Sequence, residues 1–439
     1  MNNKLKNKIY IKTFGCQMNS YDSDRLIESI SDTHKQVARP EEADIIVFNT
    51  CHIREKAAEK IYSEVGKVKA LKKDNRKLRL VIAGCVAQAE GKAMIKRQPI
   101  IDAILGPQMY HKFSEILNEC KDKRVIKLDF ENNKKFEKFQ EKRIFSKSSS
   151  FVTIQEGCDK FCSFCVVPFT RGSETSRDLD DIEKEVFTLV KMGCKEIILL
   201  GQNVNAYHGL SKTKKEVNIA SLISSLEKIE DLKRISYTTS HPRDMNDDLI
   251  NLHGCSQKLN PYLHLPVQSG SNKILESMNR KYTSADYLKI IEKLRKKTPN
   301  IALSSDFIIG FPGETNNDFK KTIKLVEEVG FAQSYSFKYS SRPGTKSSRM
   351  NSDEISMEEK DERLKELQEL LKKQQKDFND QFSFRNVEVL VKGKGNKNNQ
   401  YRGTTKWMQI VNFEAKKEVK KFETVKIIKS SNNSLLGEI

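Results

Sequence analysis

The sequence predicts an α/β protein with three parts, on three observations. Over residues 1–125, short apolar segments alternate with helical patterns, which is typical of a parallel sheet with helices on its faces. Over residues 144–375 the alternation continues through six strand-helix units, which predicts a partial (β/α)6 barrel. Residues 377–439 carry short strands with polar turns, which indicates a small β-barrel. A polar segment, residues 126–143, is the predicted linker between the first two parts.

The first part is predicted from four apolar segments. Helices are expected in the intervals between them, from about Ser23, Ile53 and Ala87. The predicted strands read KIYIKTFGC, ADIIVFNTC, LRLVIAGC and IDAILGP.

Three cysteines stand at the carboxyl ends of strands in this first part. They are Cys16, Cys51 and Cys85, and a glycine precedes two of them. In a parallel sheet these ends share one edge, where open α/β folds bind ligands. A single such thiol could be a buried core residue, because free cysteine is among the most buried residue types. Three thiols in the same position predict a shared site.

The second and third parts follow from similar patterns. Residues 353–379 are predicted as a charged helix with a leucine repeat. The β-module after it is rich in lysine and contains the only tryptophan, Trp407. Small barrels of this kind bind oligonucleotides through a basic surface and stacking aromatic residues. The predicted strands of the second part are FVTIQEG, EIILLGQ, RISYTTS, YLHLPVQ, IALSSDFIIG and QSYSFKYS.

Composition narrows the class of protein. The formal net charge of +19 points to a polyanionic partner such as a nucleic acid, although a lysine-rich composition bias would also produce it. Nine cysteines in a chain of this size are expected to be metal ligands or redox centres in a reducing compartment. The chain has no apolar run of the ~20 residues that a membrane span needs, and its start lacks the apolar segment of a signal peptide. We therefore expect a cytoplasmic protein without a membrane partner.

The segment EGCDKFCSFCVVPFTRGSETSR carries a second set of three cysteines, Cys158, Cys162 and Cys165. A 4Fe-4S cluster is normally held by four thiolates. Three thiolates from one loop would leave one iron open to an outside ligand. A structural zinc site would need a fourth Cys or His, and a ferredoxin-like carrier would show a fourth cysteine nearby.

The spacing C-x-x-x-C-x-aromatic-C, with Phe164 as the aromatic residue, resembles the signature of radical S-adenosylmethionine (SAM) enzymes. The resemblance extends over nearly the whole chain to the methylthiotransferase family. It implies a flavodoxin/Rossmann-like N-terminal domain, a radical SAM core and a C-terminal TRAM-like, RNA-binding domain. The N-terminal motifs are KTFGCQMNSYDSD, FNTCHIREKA and IAGCVAQ, and those of the core are GCDKFCSFCVVPFTRGSETSR, LLGQNVNAY, YLHLPVQSGSNKIL, MNRKYT and SSDFIIGFPGET.

The resemblance implies two 4Fe-4S clusters and SAM as cofactors. Cys158, Cys162 and Cys165 match the family's ligands to the cluster that binds SAM, and Cys16, Cys51 and Cys85 match its ligands to an auxiliary cluster. All six are expected to be catalytic. Further residues match positions that are expected to bind SAM or to shape its pocket, namely Phe164, Gln202, Asn203, Gly310 and Glu314.

Within the family, VVPFTRGSE and GQNVNAY are most similar to the subfamily that acts on tRNA. The implied reaction places a methylthio group on C2 of N6-isopentenyladenosine at position 37 of tRNA, using two SAM molecules. The implied partners are tRNA, a low-potential electron donor of the flavodoxin or ferredoxin type and a sulfur source for the auxiliary cluster. A monomer is expected. Three alternatives stay open: methylthiolation of a ribosomal-protein aspartate, methylthiolation of threonylcarbamoyladenosine in tRNA, and a non-enzymatic iron-sulfur protein.

Other residues have weaker signals. Arg171 and Arg177 follow the cysteine loop and are candidates to contact SAM or RNA phosphate. His264 is either a barrel-interior group or a satisfied core histidine. The remaining cysteines are expected to be structural thiols, because no partners stand at ligand spacing; they are Cys120, Cys194 and Cys255.

Overall fold

A computed structural model describes most of the chain. The described residues are 6–51, 55–130, 136, 143–350, 355–416 and 418–439, without the side chains of 55–59. They form two compact units, which are treated separately below. The first comprises Met1–Phe145, Glu156–Asp159 and Val166–Thr175, and the second comprises Ser146–Gln155, Lys160–Cys165 and Ser176–Ile439.

The first unit contains a six-stranded parallel sheet in the order β2-β1-β3-β4-β5-β6. Its central strands read as near-continuous apolar runs, because helices cover both faces. Ile45 and Val47 pack on one face and Ile46 and Phe48 on the other. The strands are β1 (Asn7–Thr13), β2 (His34–Gln36), β3 (Ile45–Thr50), β4 (Arg79–Gly84), β5 (Ala103–Leu105) and β6 (Val125–Lys127). The helices are Gln17–Ser29, Glu55–Asp74, Cys85–Glu90, Lys92–Arg97, Phe113–Glu119 and Val167–Arg171.

This strand order confirms the predicted parallel sheet and adds two edge strands. From β1 the chain passes to β2 on one side and to β3 on the other. The sheet therefore has a topological switch point between β1 and β3, where ligands bind in open α/β folds. The strands β2 and β6 were not predicted, because each is short and carries at least one polar residue, whereas the equally short β5 is entirely apolar. Ile126 and Lys127 belong to β6, although the linker was expected to begin at 126. Most of that segment lies outside the described residues.

The second unit begins with six parallel strands in two sets of three, β13-β10-β7 and β14-β15-β16. These six strands agree with the predicted partial (β/α)6 barrel. They are β7 (Ser149–Thr153), β10 (Glu196–Leu200), β13 (Arg234–Thr238), β14 (Tyr262–His264), β15 (Ala302–Ile309) and β16 (Gln333–Lys338). Short strands lie between them, namely β8 (Gln155–Glu156), β9 (Thr175–Ser176), β11 (His208–Leu210) and β12 (Glu216–Asn218).

Helices follow these strands and bury one apolar side each. The helix Ser284–Lys297 is closed at its start by a capping box between Thr283 and Asp286, and Thr315 and Asp318 do the same for the helix Asn316–Val329. The other helices are Leu179–Lys191, Ile219–Leu226, Asp247–Cys255, Asn272–Ser277 and Met357–Asp380.

The C-terminal segment closes into a five-stranded barrel in the order β17-β18-β19-β21-β20, as predicted. Within the second unit, Arg234 joins it to the parallel strands by donating to the carbonyl of Thr404 (2.9 Å) and to Glu388 Oε1 (2.9 Å). The strands are β17 (Asn386–Lys394), β18 (Gln400–Thr404), β19 (Ile410–Glu414), β20 (Phe422–Ser430) and β21 (Leu435–Glu438). Among the described residues, no helix is both long and apolar enough to span a bilayer.

Candidate functional site

The three N-terminal cysteines follow three adjacent strands of the first unit. Cys16 comes after β1, Cys51 after β3 and Cys85 after β4, and the backbone N–H of Phe14 donates to the carbonyl of Asn49 between the first two strands (2.8 Å). Cys51 and Cys85 are buried, whereas Cys16 is half-buried. The three thiols thus share one sheet edge, beside the topological switch point.

Two glycines allow the backbone to come this close. Gly15 has φ +112°, and a Cβ on it would lie 2.1 Å from Cys51 Cβ. Gly84 has φ +98°, and a Cβ on it would lie 2.2 Å from the carbonyl oxygen of Thr50. Only glycine adopts such angles without strain. The Gly-Cys pairs in the sequence therefore reflect a steric requirement of this edge.

Replacing Gly84 is expected to disrupt the edge. For Gly84→Ala we expect a loss of about 2–3 kcal/mol in the free energy of unfolding, because the left-handed backbone and the contact with Thr50 both resist a Cβ. Gly66→Ala is the matched control, since Gly66 lies within the helix Glu55–Asp74 and a Cβ there meets nothing within 4 Å. That control should gain about 0.5–1 kcal/mol. Equal effects of the two substitutions in chemical unfolding would contradict this steric account.

The thiols experience different electrostatic surroundings. A hydrogen bond with Cys51 lowers the pKa of Cys16 to about 6; burial opposes this shift, and the positive charge of Arg171 adds to it. Burial raises the pKa of Cys85, and Arg171 partly offsets that effect. The Arg171 guanidinium thus favours the thiolate form of both cysteines.

Arg171 is itself held in a buried polar network of the first unit. Its side chain is 3% exposed and forms ion pairs with Asp22 Oδ2 (2.8 Å) and Glu156 Oε1 (2.7 Å). It also donates to Asn19 Oδ1 (3.1 Å), and its carbonyl accepts from Gln108 Nε2 (2.7 Å). The predicted contact of Arg171 with RNA phosphate is therefore wrong for this conformation, because the guanidinium is buried between carboxylates.

A further part of this network lies behind the cysteine edge. Tyr110 Oη donates to Asn49 Oδ1 (3.0 Å), and Asn49 Nδ2 donates to the carbonyl of Asn19 and to Ser23 Oγ (3.0 Å each). The predictions did not include these residues. The available signal was the polar run NSYDSD, which lies within the helix Gln17–Ser29. This helix starts before the predicted Ser23 and buries several polar side chains of the run. The helix Cys85–Glu90 likewise starts before the predicted Ala87. The predicted start at Ile53 lies outside the described residues.

The second set of cysteines lies in the loop after β8. Cys158, Cys162 and Cys165 are all half-buried. In the first unit, the N–H of Cys158 donates to the carbonyl of Gly172 (3.2 Å). In the second unit, the N–H of Cys165 donates to the carbonyl of Cys162 (2.9 Å), which makes a tight turn. Backbone hydrogen bonds thus hold Cys158 within the first unit, and Cys162 and Cys165 within the second.

Neighbouring contacts anchor this loop in the second unit. The N–H of Ser163 donates to the carbonyl of Met278 (3.0 Å), and Ser163 Oγ donates to the carbonyl of Ser277 (2.8 Å). Phe164 packs against the small apolar cluster of Ile274, Met278 and Phe311. The structure therefore gives Phe164 an anchoring contact, and its contact with a cofactor stays a prediction.

Arg280 is a site residue that the predictions missed. It is buried, and its Nη1 donates to Cys162 Sγ (3.3 Å). Its Nε donates to Tyr282 Oη (2.9 Å), and its Nη2 donates to the carbonyl of Pro266 (2.7 Å). The only signal in the sequence was the segment MNRKYT, which carries Arg280. Arg280 thus places a buried positive charge beside the Cys162 sulfur.

The predicted cofactor-binding residues lie at strand ends of the second unit. The N–H groups of Gln202 and Asn203, after β10, both donate to Gln155 Oε1 (2.9 and 3.1 Å). Gly310, after β15, has φ +70° and donates its N–H to Glu314 Oε2 (2.8 Å).

Glu314 is nearly fully buried and also accepts from Arg363 Nη1 (2.9 Å). Burial raises the pKa of this carboxyl group. Gly310 and Glu314 thus shape a tight turn, as expected, and their contact with SAM stays a prediction.

Arg177 and His264 make local contacts instead of contacts with solvent. Arg177 forms an ion pair with Glu185 Oε2 (2.7 Å) and donates to the carbonyl of Thr153 (2.8 Å), so it is engaged within the second unit. His264 Nδ1 contacts Ser304 Oγ (2.9 Å). All nine cysteines are free thiols; Cys120 and Cys194 are buried and Cys255 is exposed.

The donor groups fit iron-sulfur clusters better than a single ion. Within the described parts of the chain, no three Cys, His, Asp or Glu side chains form a group that could hold one metal ion. A 4Fe-4S cluster requires a different arrangement of thiolates, because each thiolate binds a separate iron atom. Three soft thiols at the sheet edge and three in one loop supply that chemistry, and three thiolates on four irons would leave one iron for an outside ligand.

Comparisons with protein families cover most of the chain. Residues 8–106 match the uncharacterized protein family UPF0004, residues 152–326 match the radical SAM superfamily and residues 381–439 match the TRAM domain. Among solved structures, the radical SAM methyltransferase TsrM from Kitasatospora setae has a TM-score of 0.58 at 12% identity, over 78% of this chain and 77% of that chain. This likeness concerns the fold alone.

Curated relatives match over almost their full length and carry one name, tRNA-2-methylthio-N(6)-dimethylallyladenosine synthase. The relative from Wolbachia pipientis is 50% identical, over 98% of this chain and 99% of its own. The relative from Ruegeria sp. is 47% identical over 98% of both chains, and that from Rickettsia conorii is 48% identical over 99% and 100%. The resemblance found in the sequence is thereby confirmed. The chain belongs to the tRNA-2-methylthio-N(6)-dimethylallyladenosine synthase family of radical SAM enzymes.

Proposed function

We propose that this protein is a tRNA methylthiotransferase that places a methylthio group on C2 of N6-isopentenyladenosine at position 37. The observation that carries the proposal is the arrangement of two separate sets of three thiols, one at the switch point of a parallel sheet and one in a barrel loop. Full-length relatives that share one name support the choice of substrate. Neither alternative substrate has such support.

The residues that would hold the cofactors follow from this arrangement. The family's cofactors are SAM and 4Fe-4S clusters. Cys158, Cys162 and Cys165 would bind the cluster that meets SAM, and the sheet-edge thiols Cys16 and Cys51, with Cys85, would bind the auxiliary cluster. When bound, these groups supply the electron, the radical, the methyl group and the sulfur.

The chain's own charges would support both clusters. Arg171 places a buried positive charge by the sheet-edge thiols, and Arg280 donates to Cys162. Because low dielectric strengthens such interactions, each guanidinium would stabilise the anionic ligands beside it. Gln155 accepts from the backbone N–H groups of Gln202 and Asn203, which would bind SAM. General acid-base catalysis could not replace this radical chemistry, because an aromatic C–H offers no readily removed proton.

The C-terminal barrel would contact tRNA through an exposed aromatic residue beside a basic one. Trp407 is packed against Phe382 (ring centroids 4.8 Å apart) and its Nε1 donates to the carbonyl of Asn300 (2.9 Å). Both contacts hold Trp407 within the second unit. Phe384 is 77% exposed, and its neighbour Arg385 is also exposed. This pair combines an aromatic face with a positive charge, as single-stranded RNA sites do.

We expect Phe384→Ala to weaken tRNA binding about tenfold, because one stacked base contributes about 1–3 kcal/mol. Phe384→Tyr, which keeps the aromatic face, is the matched control and should bind as the original protein does. Filter binding of full-length tRNA at fixed salt measures both. An unchanged affinity of the alanine variant would exclude Phe384 from the RNA surface.

We also propose the remaining partners and the setting. A low-potential flavodoxin or ferredoxin would supply electrons, and a cellular sulfur source would refill the auxiliary cluster. The protein would act as a monomer in the cytoplasm, where its tRNA substrate is found. The division into 1–125, 126–143, 144–375 and 377–439 remains a proposal, and the sheet, the parallel strands and the closed barrel are consistent with it.

Purified protein with reconstituted clusters provides the direct biochemical test. It would be incubated anaerobically with SAM, a reductant and one of three substrates: isopentenylated tRNA, tRNA lacking that group, or threonylcarbamoylated tRNA. A ribosomal protein with a reactive aspartate is the fourth sample. We expect the methylthio product only from isopentenylated tRNA. If only one of the other samples gave the methylthio product, the substrate in that sample would replace the proposed one.

A further inference from the structure

Three buried polar atoms of the second unit stand on residues that follow the ends of two neighbouring strands. They are Asn203 Oδ1, Ser240 Oγ and His241 Nε2, on residues that are 2%, 5% and 6% exposed. Within the described part of the chain, none of the three atoms has a hydrogen-bond partner. Leaving such a buried group unsatisfied is unfavourable. Their number at one place indicates a ligand that completes them.

The backbone brings these residues to one edge. β10 and β13 are parallel neighbours, with Leu200 paired to Thr238, and the three residues follow directly after those ends. Asn205 then binds His241 twice, through the carbonyl (2.9 Å) and the N–H (2.8 Å). Thr239 has φ +73°, which a β-branched residue rarely adopts. Such strain is typical of functional sites, and here it turns the next two residues.

The protonation of His241 follows from its contacts. The N–H of Arg243 donates to its Nδ1 (3.2 Å), so the proton of the neutral ring is on Nε2. Burial and the charges of Arg280, Lys160 and Arg243 lower the pKa of His241 to about 2. Ser, Asp or Asn would accept from Arg243 equally well. The imidazole adds a neutral N–H donor that this structural role does not need.

The neighbours of His241 connect it to the cysteine loop. Its ring packs edge-on against Tyr282 (centroids 5.6 Å apart), which accepts from Arg280, the residue that donates to Cys162 Sγ. Asn203 Nδ2 donates to Asp244 Oδ2 (2.8 Å), so its Oδ1 is the acceptor that remains. The site therefore offers a donor and an acceptor beside a thiol of the SAM-type loop.

We propose that His241 is a positioning residue whose Nε2–H donates to an adenosyl group, with Asn203 Oδ1 accepting from the same group. Adenosine carries ring acceptors, an exocyclic N–H and ribose hydroxyls, which match both partners. Two molecules supply this group, SAM and the adenosine to be modified. The inference rests on the proposed function, since both ligands belong to it.

The experiment measures two affinities on full-length protein with reconstituted clusters. The probes are SAM and an isopentenylated anticodon stem-loop RNA. His241→Phe removes the donor, and His241→Gln keeps an N–H near the Nε2 position. We expect His241→Phe to raise the dissociation constant of one probe about tenfold and His241→Gln to stay within about threefold. A change for SAM alone assigns the cofactor, and a change for RNA alone assigns the substrate.

His253→Phe is the matched control, because His253 is also a buried imidazole but binds Tyr237 Oη (2.6 Å). It should leave both affinities unchanged. Unchanged affinities for His241→Phe, equal losses for the Phe and Gln variants, or loss of iron from both would each overturn the inference. If the original protein bound neither probe, the proposed function would fail together with it. Binding by the original protein with no effect at His241 overturns the inference alone.

Discussion

Substituting Arg171 by methionine should reduce the free energy of unfolding of the first unit by about 3–5 kcal/mol, because it leaves Asp22 and Glu156 as buried carboxylates without their cation. Methionine keeps most of the volume, so the loss would come from charge and not from a cavity. The same substitution should lower the iron bound at the sheet edge, since Arg171 favours the thiolates of Cys16 and Cys85. Chemical unfolding and iron analysis measure the two effects.

The control for this prediction is Arg39→Met in the same unit. Arg39 forms an exposed ion pair with Glu42, which contributes little to stability, so no measurable change is expected. Adding Asp22→Asn and Glu156→Gln to Arg171→Met should recover part of the loss, because neutral amides tolerate burial better than carboxylates. If Arg171→Met behaved like Arg39→Met, the buried network would not be the support we describe.

Removing either cysteine set should abolish methylthiolation, but at different steps. Cys158→Ala, Cys162→Ala and Cys165→Ala together should end SAM cleavage. Replacement of Cys16, Cys51 and Cys85 by alanine should leave SAM cleavage intact and prevent sulfur insertion. Each triple variant should contain about four fewer iron atoms per chain than the original protein. The measurements are iron content, 5'-deoxyadenosine release and nucleoside analysis of the tRNA.

A third triple variant controls for the loss of thiols as such. Replacing Cys120, Cys194 and Cys255 by alanine removes cysteines that lie outside both sets. It should retain its iron and its activity, with a modest loss of stability from the two buried positions. Iron loss in this control, or full iron in either of the other variants, would refute the assignment of the ligands.

The sheet edge could be predicted from sequence because its signals are local. Strands β1, β3 and β4 are each followed by a cysteine, and parallel pairing brings such strand ends to one edge. The glycines before Cys16 and Cys85 now have a steric explanation in the close approach to Cys51 and Thr50. The pattern did not reveal the edge strands β2 and β6, because each is short and carries at least one polar residue.

The electrostatic part of the site could not be predicted, because it depends on long-range contacts. Arg171 looked like a phosphate ligand from its place after the cysteine loop, yet its partner Asp22 is 149 positions away in the sequence. Arg280 reaches Cys162 across 118 positions. Trp407 is anchored by the distant Asn300. His241 has no local signal in the sequence, because its unsatisfied Nε2 exists only in the folded chain.

The central claim is tested most directly by the nucleosides of total tRNA from cells that lack this protein. After digestion, mass spectrometry should find N6-isopentenyladenosine accumulated and its 2-methylthio form missing, and the intact gene should restore the latter. The Cys158, Cys162 and Cys165 triple-alanine gene should not restore it. Unchanged tRNA nucleosides in the deletion strain would contradict the account and would direct attention to the ribosomal-protein aspartate.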